Sequence, residues 1–171
     1  MTTIRGVDIS EKMVDEYNKA VQSSGMSTEQ AHAVVGDLCT EDVQSHFTGK
    51  EYYDFDLVAI GLGFHHFENI PLSTKRLAER LKPGGVLLIV DFLPFDKELQ
   101  HKAQPPDADA PDMSATIKHS GFTEAGTKQL FEEAGLEDAR FDVVGEVDME
   151  LKKGWVKRTM FVARAKRSAS T

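Results

Sequence analysis

Two aspartates, Asp8 and Asp37, each follow a short apolar stretch with the pattern of a β-strand. A carboxylate at the carboxyl end of a strand in a doubly wound sheet can accept hydrogen bonds from both ribose hydroxyls of a nucleotide cofactor. At Asp8 this interpretation competes evenly with an aspartate that helps the next helix to begin. At Asp37 the carboxylate and the backbone N–H of Leu38 could bind an adenine edge, and an aspartate in a turn is the alternative.

The adjacent histidines His65 and His66 are the candidates for proton transfer. Either could act as a general base towards a hydroxyl or an amine. Neighbouring side chains on a regular element are expected to point in different directions, and no third ligand follows at a suitable spacing, so the sequence predicts no metal site. A packed or substrate-lining histidine is the favoured alternative for each. His119 supports a weaker form of the same argument.

Composition restricts the class of protein. The chain has 171 residues and a net charge of −8, which suits a single globular domain and disfavours a broad nucleic-acid surface. Cys39 is the only cysteine, so no internal disulfide framework is expected. No apolar stretch approaches the length of a membrane span. We therefore expect a cytoplasmic protein whose partners include neither nucleic acid nor a membrane.

The stretch 55–92 predicts the unit that positions these groups. Two apolar runs, FDLVAIG and VLLIVDF, have the composition of strands covered on both faces of a parallel sheet. The segment between them carries Leu77 and Leu81 one helical turn apart and then a PGG turn, as expected of a crossover helix. Residues 61–69 follow the first strand, at the end where doubly wound folds bind their ligands.

The remaining elements are predicted from caps, apolar spacing and turn residues. Before the central unit we expect a strand over Ile4–Ile9, a helix from Ser10 to Gly25, a strand over Ala31–Val35, a short helix over Thr40–Phe47 and a loop over Gly49–Asp54. After it we expect a helix from Thr123 to Ala134 and an antiparallel hairpin of Phe141–Val147 and Trp155–Ala165. The predicted single domain, 1–171, comprises a cofactor half (4–93), a proline-rich lid or disordered loop (94–118) and a C-terminal helix and hairpin (119–166).

Five motifs occur in the order of a known family: GVDIS, GDL, FDLVAIGLGFHHFEN, LKPGG with VLLIVDF, and HSGFTEAGTKQLFEEAGL. From about residue 4 to residue 166 the chain resembles the S-adenosylmethionine-dependent class I methyltransferases, most closely the small-molecule branch that includes ubiquinone and menaquinone biosynthesis enzymes. The resemblance implies an α/β, Rossmann-like methyltransferase sheet, mostly parallel, with a C-terminal antiparallel hairpin. It also implies S-adenosylmethionine as the cofactor and a small molecule as the methyl acceptor.

The resemblance gives roles to the residues after the first two strands. Asp8 would bind the ribose hydroxyls, and Ile9 would pack on the adenine. Asp37 would accept a hydrogen bond from the adenine amino group, while the Leu38 N–H would donate to the ring. This family usually catalyses by aligning the methyl donor with the acceptor, so a dedicated general base is optional.

The methionine part of the cofactor would lie over Gly61 and Leu62 by the same resemblance. In the family a first strand and a glycine-rich loop, of the form VLDxGxGxG, precede the GVDIS strand, and no GxGxG occurs in this sequence. We therefore expect an N-terminally truncated fold that binds S-adenosylmethionine weakly. Methyl transfer by this chain alone would be impaired.

A missing central strand would leave backbone N–H and C=O groups unpaired on both sides of a gap. Exchange or pairing of N-terminal elements between two copies would satisfy these groups, so the sequence predicts a homodimer. The alternative to an enzyme is a non-catalytic methyltransferase-like domain that self-associates or binds a partner. A nicotinamide dehydrogenase would also need the glycine loop and has no support from the later motifs.

Overall fold

The computed structural model describes residues 3–42, 44–95, 116–151 and 154–169. The chain divides into two compact units, Met1–Tyr53 and Asp54–Thr171. The organisation as a single domain with three parts stays a prediction. Of the proline-rich stretch 94–118, only residues 94–95 and 116–118 belong to the described residues, so the predicted lid or disordered loop lies outside them.

The first unit is built on a short parallel strand pair with one helix. Its main elements are β1 (Ile4–Asp8), α1 (Glu11–Ser23) and β2 (Ala31–Val35). The Ser10 side chain accepts from the Met13 N–H and so begins α1, whose buried face consists of Val14 and Val21. Gly25 follows the helix with a φ of 73°, a conformation that glycine adopts without strain. The predictions for these three elements are confirmed.

The predicted helix over Thr40–Phe47 is wrong except for its last turn. Of the described residues in this stretch, only Ser45–Phe47 is helical, as a 3₁₀ turn, and a second 3₁₀ turn covers Lys50–Tyr52 within the predicted loop. Local side chains compete with helical backbone bonds here, because the Thr40 hydroxyl donates to the Asp42 carbonyl and the Gln44 side chain accepts from the Asp37 N–H.

The second unit contains a four-stranded mixed sheet. Its main elements are β3 (Phe55–Gly61), α2 (Ile70–Glu79), β4 (Leu81–Phe92), α3 (Glu124–Glu133), β5 (Leu136–Leu151) and β6 (Gly154–Arg167). The strand order is β3-β4-β6-β5, with β3 and β4 parallel and both β4–β6 and β5–β6 antiparallel. The α/β fold with its closing hairpin is confirmed. Parallel and antiparallel ladders are equally represented among the described strands, so the description "mostly parallel" holds only loosely.

Helix caps and strand burial explain the second unit. Asn69 caps α2 through the Leu72 N–H, and Thr123 caps α3 through the Gly126 N–H, as the sequence predicts for Thr123. The strand β4 begins at Leu81, before the PGG turn that was expected to precede it, and its pairing with β3 is irregular there. The core side chains with at most 1% exposure are concentrated on β4 and β6: Leu81, Leu87, Ile89, Phe161, Ala163 and Ala165.

The helices of the described residues are all short of a membrane span. None of them combines the length and apolar character needed to cross a bilayer.

Candidate functional site

Asp8 ends β1 with an exposed side chain. Its Oδ1 accepts a hydrogen bond from the Ser10 backbone N–H (2.8 Å), and the Ser10 hydroxyl caps α1 through the Met13 N–H (3.3 Å). One carboxylate oxygen therefore has the helix-starting role that the sequence offers as the alternative. Among the described residues, no partner binds Oδ2, which leaves this oxygen available to a hydroxyl of a ligand.

Ile9 is the open apolar neighbour of this carboxylate. It is 73% exposed, so its side chain has room to pack on a flat ring. An exposed carboxylate beside an exposed apolar side chain suits a ribose that carries a purine. The residues present therefore fit the adenosine part of a nucleotide cofactor.

The pairing of β1 with β2 brings Asp37 to the same edge as Asp8. The strands are parallel with Asp8 opposite Val35, and the Gly36 N–H donates to the Asp8 carbonyl (2.9 Å). The Asp37 Oδ1 accepts from the Cys39 N–H (2.7 Å), which is the turn geometry of the alternative interpretation. The turn and a contact with a ligand are compatible, because a carboxylate offers two oxygens.

Leu38 lies inward from this edge. Its side chain is 9% exposed and belongs to the core of the first unit. Only its backbone could address an adenine, as the resemblance implies. The roles assigned to Asp8, Ile9, Asp37 and Leu38 stay predictions.

Gly61 ends β3 in the second unit, and Leu62 follows it. Leu62 has a φ of 55° and is 43% exposed, which is an uncommon combination for a leucine. Its N–H donates to the Val90 carbonyl (2.8 Å) and holds the turn at the carboxyl end of the β3–β4 pair. An exposed, strained apolar residue at this end of a sheet suits a ligand-facing position. The assignment of both residues to the methionine part of a cofactor stays a prediction.

His65 and Asp91 form a buried pair at the same end of the second sheet. The His65 Nδ1 and the Asp91 Oδ1 are 2.8 Å apart, and the two side chains are 7% and 0% exposed. The backbone N–H groups of His65 and Phe92 also donate to this carboxyl group (3.1 and 2.8 Å). Because the carboxylate oxygen accepts, Nδ1 carries the hydrogen and the lone pair of the neutral ring is on Nε2.

The second nitrogen of His65 is the chemically available one. Nε2 has no hydrogen-bond partner among the described residues. An imidazole whose Nδ1–H is fixed by a carboxylate, with Nε2 open, has the orientation of a general base. The pair can therefore accept a proton from a hydroxyl or amine brought to Nε2.

His66 lies beside His65 on the short 3₁₀ turn Phe64–His66. The two ring centres are 4.1 Å apart, so the expectation that the side chains would diverge is wrong. The Nδ1 of His66 is 3.0 Å from the Thr116 hydroxyl oxygen. Burial lowers the pKa of His66 more than a hydrogen bond with the Thr116 backbone raises it.

His119 has a structural place in the same cluster. Its Nε2 lies 3.0 Å from the Phe67 carbonyl oxygen, and its backbone N–H donates to the His65 carbonyl (3.0 Å). The Lys118 N–H donates to that carbonyl as well (3.1 Å). These contacts fix the histidine turn, and the weaker prediction of a base at His119 stays a prediction.

Sequence reasoning missed Asp91 and Arg158. Asp91 ends the apolar run VLLIVDF in the same way that Asp8 ends its strand, so the signal was available. Arg158 lies in a strand with alternating polar residues, where nothing marks it as buried. In the structure its guanidinium carbon is 4.2 Å from the centre of the Phe95 ring, and this ring faces His65 with 6.5 Å between centres.

A cleft of about 400 Å³ runs along α3. It is lined by Gly121, Phe122, Thr123, Gly126, Thr127, Gln129, Leu130 and Glu133. None of the predicted site residues lines it. Within the described ranges no three His, Cys, Asp or Glu side chains come together in a way that could hold a metal ion.

The sequence matches the methyltransferase domain family over residues 1–89, which is more than half of its 171 residues. A protein of Schizosaccharomyces pombe, named as an uncharacterized methyltransferase, is 28% identical over 153 residues. The alignment covers 90% of this chain and 50% of that protein. The chain thus spans about half the length of the curated relative that it matches.

Solved structures agree on the fold. The YcgJ protein of Bacillus subtilis superposes with a TM-score of 0.68 at 11% identity, over 98% of this chain and 83% of that one. An S-adenosylmethionine-dependent methyltransferase of Methanosarcina mazei has a TM-score of 0.66 at 18% identity, over 97% and 82% of the two chains. At these identities the similarity shows the fold alone.

Proposed function

Because the chain belongs to the methyltransferase domain family, we propose that it acts in the transfer of a methyl group from S-adenosylmethionine to a small-molecule acceptor. The observation that carries this proposal is the family match over residues 1–89, which includes all the predicted cofactor residues. Among the described residues, no contact favours the alternative of a non-catalytic module. S-adenosylmethionine supplies a methyl group on a positively charged sulfur, which makes that methyl open to attack by an oxygen or nitrogen of the acceptor.

The edge of the first unit is the proposed adenosine site. The open Oδ2 of Asp8 would accept from a ribose hydroxyl, and the exposed side chain of Ile9 would pack on the adenine. The carboxylate of Asp37 and the backbone of Leu38 would address the adenine edge. A hydroxyl donating to a carboxylate is charge-assisted, so Asp8 should contribute most to this affinity.

The methionine part of the cofactor is assigned to Gly61 and Leu62. The sequence contains no GxGxG loop, whose backbone N–H groups would otherwise add hydrogen bonds to this end. Each such bond contributes roughly 0.5–1.5 kcal/mol net, so several together change a dissociation constant by about a hundredfold or more. We therefore expect weak binding, with a dissociation constant above the low micromolar range.

His65 is the proposed general base, and Asp91 is its positioning residue. The Asp91 carboxylate holds Nδ1–H of His65, so Nε2 would take the proton that the acceptor atom loses as it bonds to the methyl carbon. The bond between the methyl carbon and sulfur would break in the same step and leave S-adenosylhomocysteine. His66 packs against the His65 ring and would limit its rotation. A base of this kind contributes typically about 10²–10⁴-fold to a rate, which separates it from a merely packed histidine.

Calorimetric titration with S-adenosylhomocysteine tests the proposed cofactor site. Asp8→Ala should weaken binding by about 1.5–3 kcal/mol, since it removes a charge-assisted contact. Asp15→Ala is the matched control, because Asp15 is an exposed aspartate on α1 with no assigned role. Equal affinities of the two variants would refute the ribose assignment, and no binding to the unaltered chain at millimolar ligand would refute the proposed function for this chain.

A homodimer is the proposed assembly. Among the described residues of the first unit, five large apolar side chains are more than a third exposed: Ile4, Ile9, Met13, Tyr17 and Val35. A two-stranded sheet with such residues open gains stability when a second copy covers them. Sedimentation at several protein concentrations measures this, and a monomer at all concentrations would contradict it.

A further inference from the structure

We propose that Arg158 binds a carboxylate of the methyl acceptor, so that the acceptor is a small organic anion. This inference rests on the proposed methyl transfer and names the class of molecule that the second unit would receive. It comes from three observations: a buried guanidinium nitrogen without an acceptor, the absence of a described counter-charge, and an aromatic ring between this guanidinium and His65.

Arg158 lies on β6 opposite Val147 of β5 and is 8% exposed. One guanidinium nitrogen, Nη1, donates to the Lys157 carbonyl (3.0 Å). The other, Nη2, is buried and has no hydrogen-bond partner in the described part of the chain. Burial lowers the pKa of Arg158, yet a guanidinium remains charged at neutral pH. A buried, charged donor without an acceptor is unfavourable until a ligand supplies one.

The acidic groups near Arg158 are engaged elsewhere. Across the β5–β6 pair, Glu146 and Asp148 lie 3.6 and 3.5 Å from the Lys157 ammonium. Asp91 accepts from three N–H groups of His65 and Phe92. No ion pair joins Arg158 to a carboxylate among the described residues. The free Nη2 therefore has the chemistry to receive a carboxylate oxygen from outside the chain.

Phe95 connects this charge with the proposed base. The Arg158 guanidinium carbon stacks 4.2 Å from its ring centre, and the cation–π contact orients the planar group. The same ring lies 6.5 Å from the His65 ring and 6.2 Å from the Phe92 ring, both with edge-on geometry. A small acceptor with its carboxylate on Arg158 and its body along these rings would extend towards His65. The acceptor class is thus a carboxylate-bearing molecule with an apolar or aromatic body and a hydroxyl or amine to be methylated.

The test compares phenylacetate with phenylacetamide, two probes of the same shape that differ in charge. Calorimetric or NMR titration of the unaltered chain should give tighter binding of phenylacetate. Arg158→Gln should weaken the binding of phenylacetate by about tenfold or more, because it removes a charge-assisted donor. The affinity for phenylacetamide should stay unchanged. Arg158→Lys should recover part of the loss, since it keeps the charge without the planar fork.

Lys157→Gln is the matched control, because it removes the neighbouring but exposed positive charge. It should leave the preference for phenylacetate intact. Equal binding of the two probes to the unaltered chain would overturn the inference without any variant. A loss in Lys157→Gln as large as that in Arg158→Gln would also overturn it, because a general electrostatic effect would then explain the preference. If circular dichroism shows that Arg158→Gln does not fold, the inference is tested by the affinities of the unaltered chain and of Arg158→Lys for the two probes.

Titration with S-adenosylhomocysteine separates the acceptor from the cofactor as the source of the carboxylate. Arg158→Gln should leave this affinity unchanged. If Arg158→Gln lowers the affinity for S-adenosylhomocysteine as much as that for phenylacetate, Arg158 belongs to the cofactor site and the inference is overturned. Probe discrimination without any S-adenosylhomocysteine binding would contradict the proposed function and leave the anion site standing.

Discussion

The two compact units differ in how they treat their apolar side chains. In the first unit, Ala31 and Phe47 are the described apolar residues with at most 1% exposure. In the second, a four-stranded sheet buries Leu87 and Phe161 completely. Stability increases with the apolar area that is removed from water. Both units leave large apolar side chains exposed, but the second has the larger set of fully buried ones, so we expect it to be the more stable unit.

The aspartates of the two units differ in exposure. The Asp8 carboxylate in the first unit is exposed and, within the described ranges, accepts a hydrogen bond from the Ser10 N–H alone. Asp91 in the second unit is fully buried and receives three N–H donors. An open carboxylate suits the binding of a ligand, and a buried one suits the fixed orientation of a neighbouring side chain. The proposed cofactor contacts and the proposed base follow this division.

Loss of a core ring in the second unit should have the largest effect on stability. Phe161 is 0% exposed and stacks on Phe141 with 4.4 Å between ring centres. Phe161→Ala should therefore lower the free energy of unfolding by about 3–5 kcal/mol in urea denaturation. Trp155→Ala on the same strand, where the side chain is 63% exposed, should change it by only about 0.5 kcal/mol. Similar losses of unfolding free energy in both variants would contradict the expectation that the buried ring contributes more than the exposed one.

Asp91→Asn should have the next largest effect. The amide keeps one acceptor oxygen but turns an NH₂ group towards N–H donors, and each buried group left unpaired costs about 1–3 kcal/mol. We expect a loss of unfolding free energy in that range. The control is Asp142→Asn, an exposed aspartate on β5, which should be nearly neutral. An unchanged free energy in Asp91→Asn would show that the His65–Asp91 pair does not orient the ring.

Each unit has a helix whose first turn is capped by a hydroxyl side chain, so the loss of such a cap can be compared between the units. The Ser10 hydroxyl caps α1 through the Met13 N–H (3.3 Å), and the Thr123 hydroxyl caps α3 through the Gly126 N–H (3.1 Å). Ser10→Ala and Thr123→Ala should each cost about 1 kcal/mol. Hydrogen exchange should show the loss of protection in α1 for the first variant and in α3 for the second. Loss of protection throughout the chain in Ser10→Ala would show that the weaker unit also governs the stronger one.

The smallest expected effect is the pH dependence due to His66. Burial lowers its pKa in the folded protein below the ordinary value of 6.5. The unfolded chain therefore binds the proton first, and stability that is fully present above pH 6.5 decreases as the pH falls through the folded pKa. Urea denaturation between pH 7 and pH 5 should show a shallower decrease in His66→Gln than in the unaltered chain. Parallel curves would contradict the assignment to His66.

Sequence patterns were sufficient for most of the elements, because caps and apolar spacing act over a few residues. Ser10 and Thr123 begin their helices as predicted, and the closing hairpin pairs as predicted although its strands are longer. The short helix after β2 failed because side-chain bonds of Thr40 and Gln44 replace helical bonds there. Propensity does not report such competition.

The sequence by itself determined the family resemblance, the strand–helix–strand unit and the candidates at strand ends, since each depends on residues close together in the chain. Only the tertiary structure decided which distant groups meet. His65 and Asp91 are 26 residues apart and come within 2.8 Å because β3 and β4 are parallel neighbours. Arg158 reaches Phe95 because β6 pairs with β4. The neighbours of a strand are set by the packing of the whole sheet, so they cannot be predicted from the local composition of the strand.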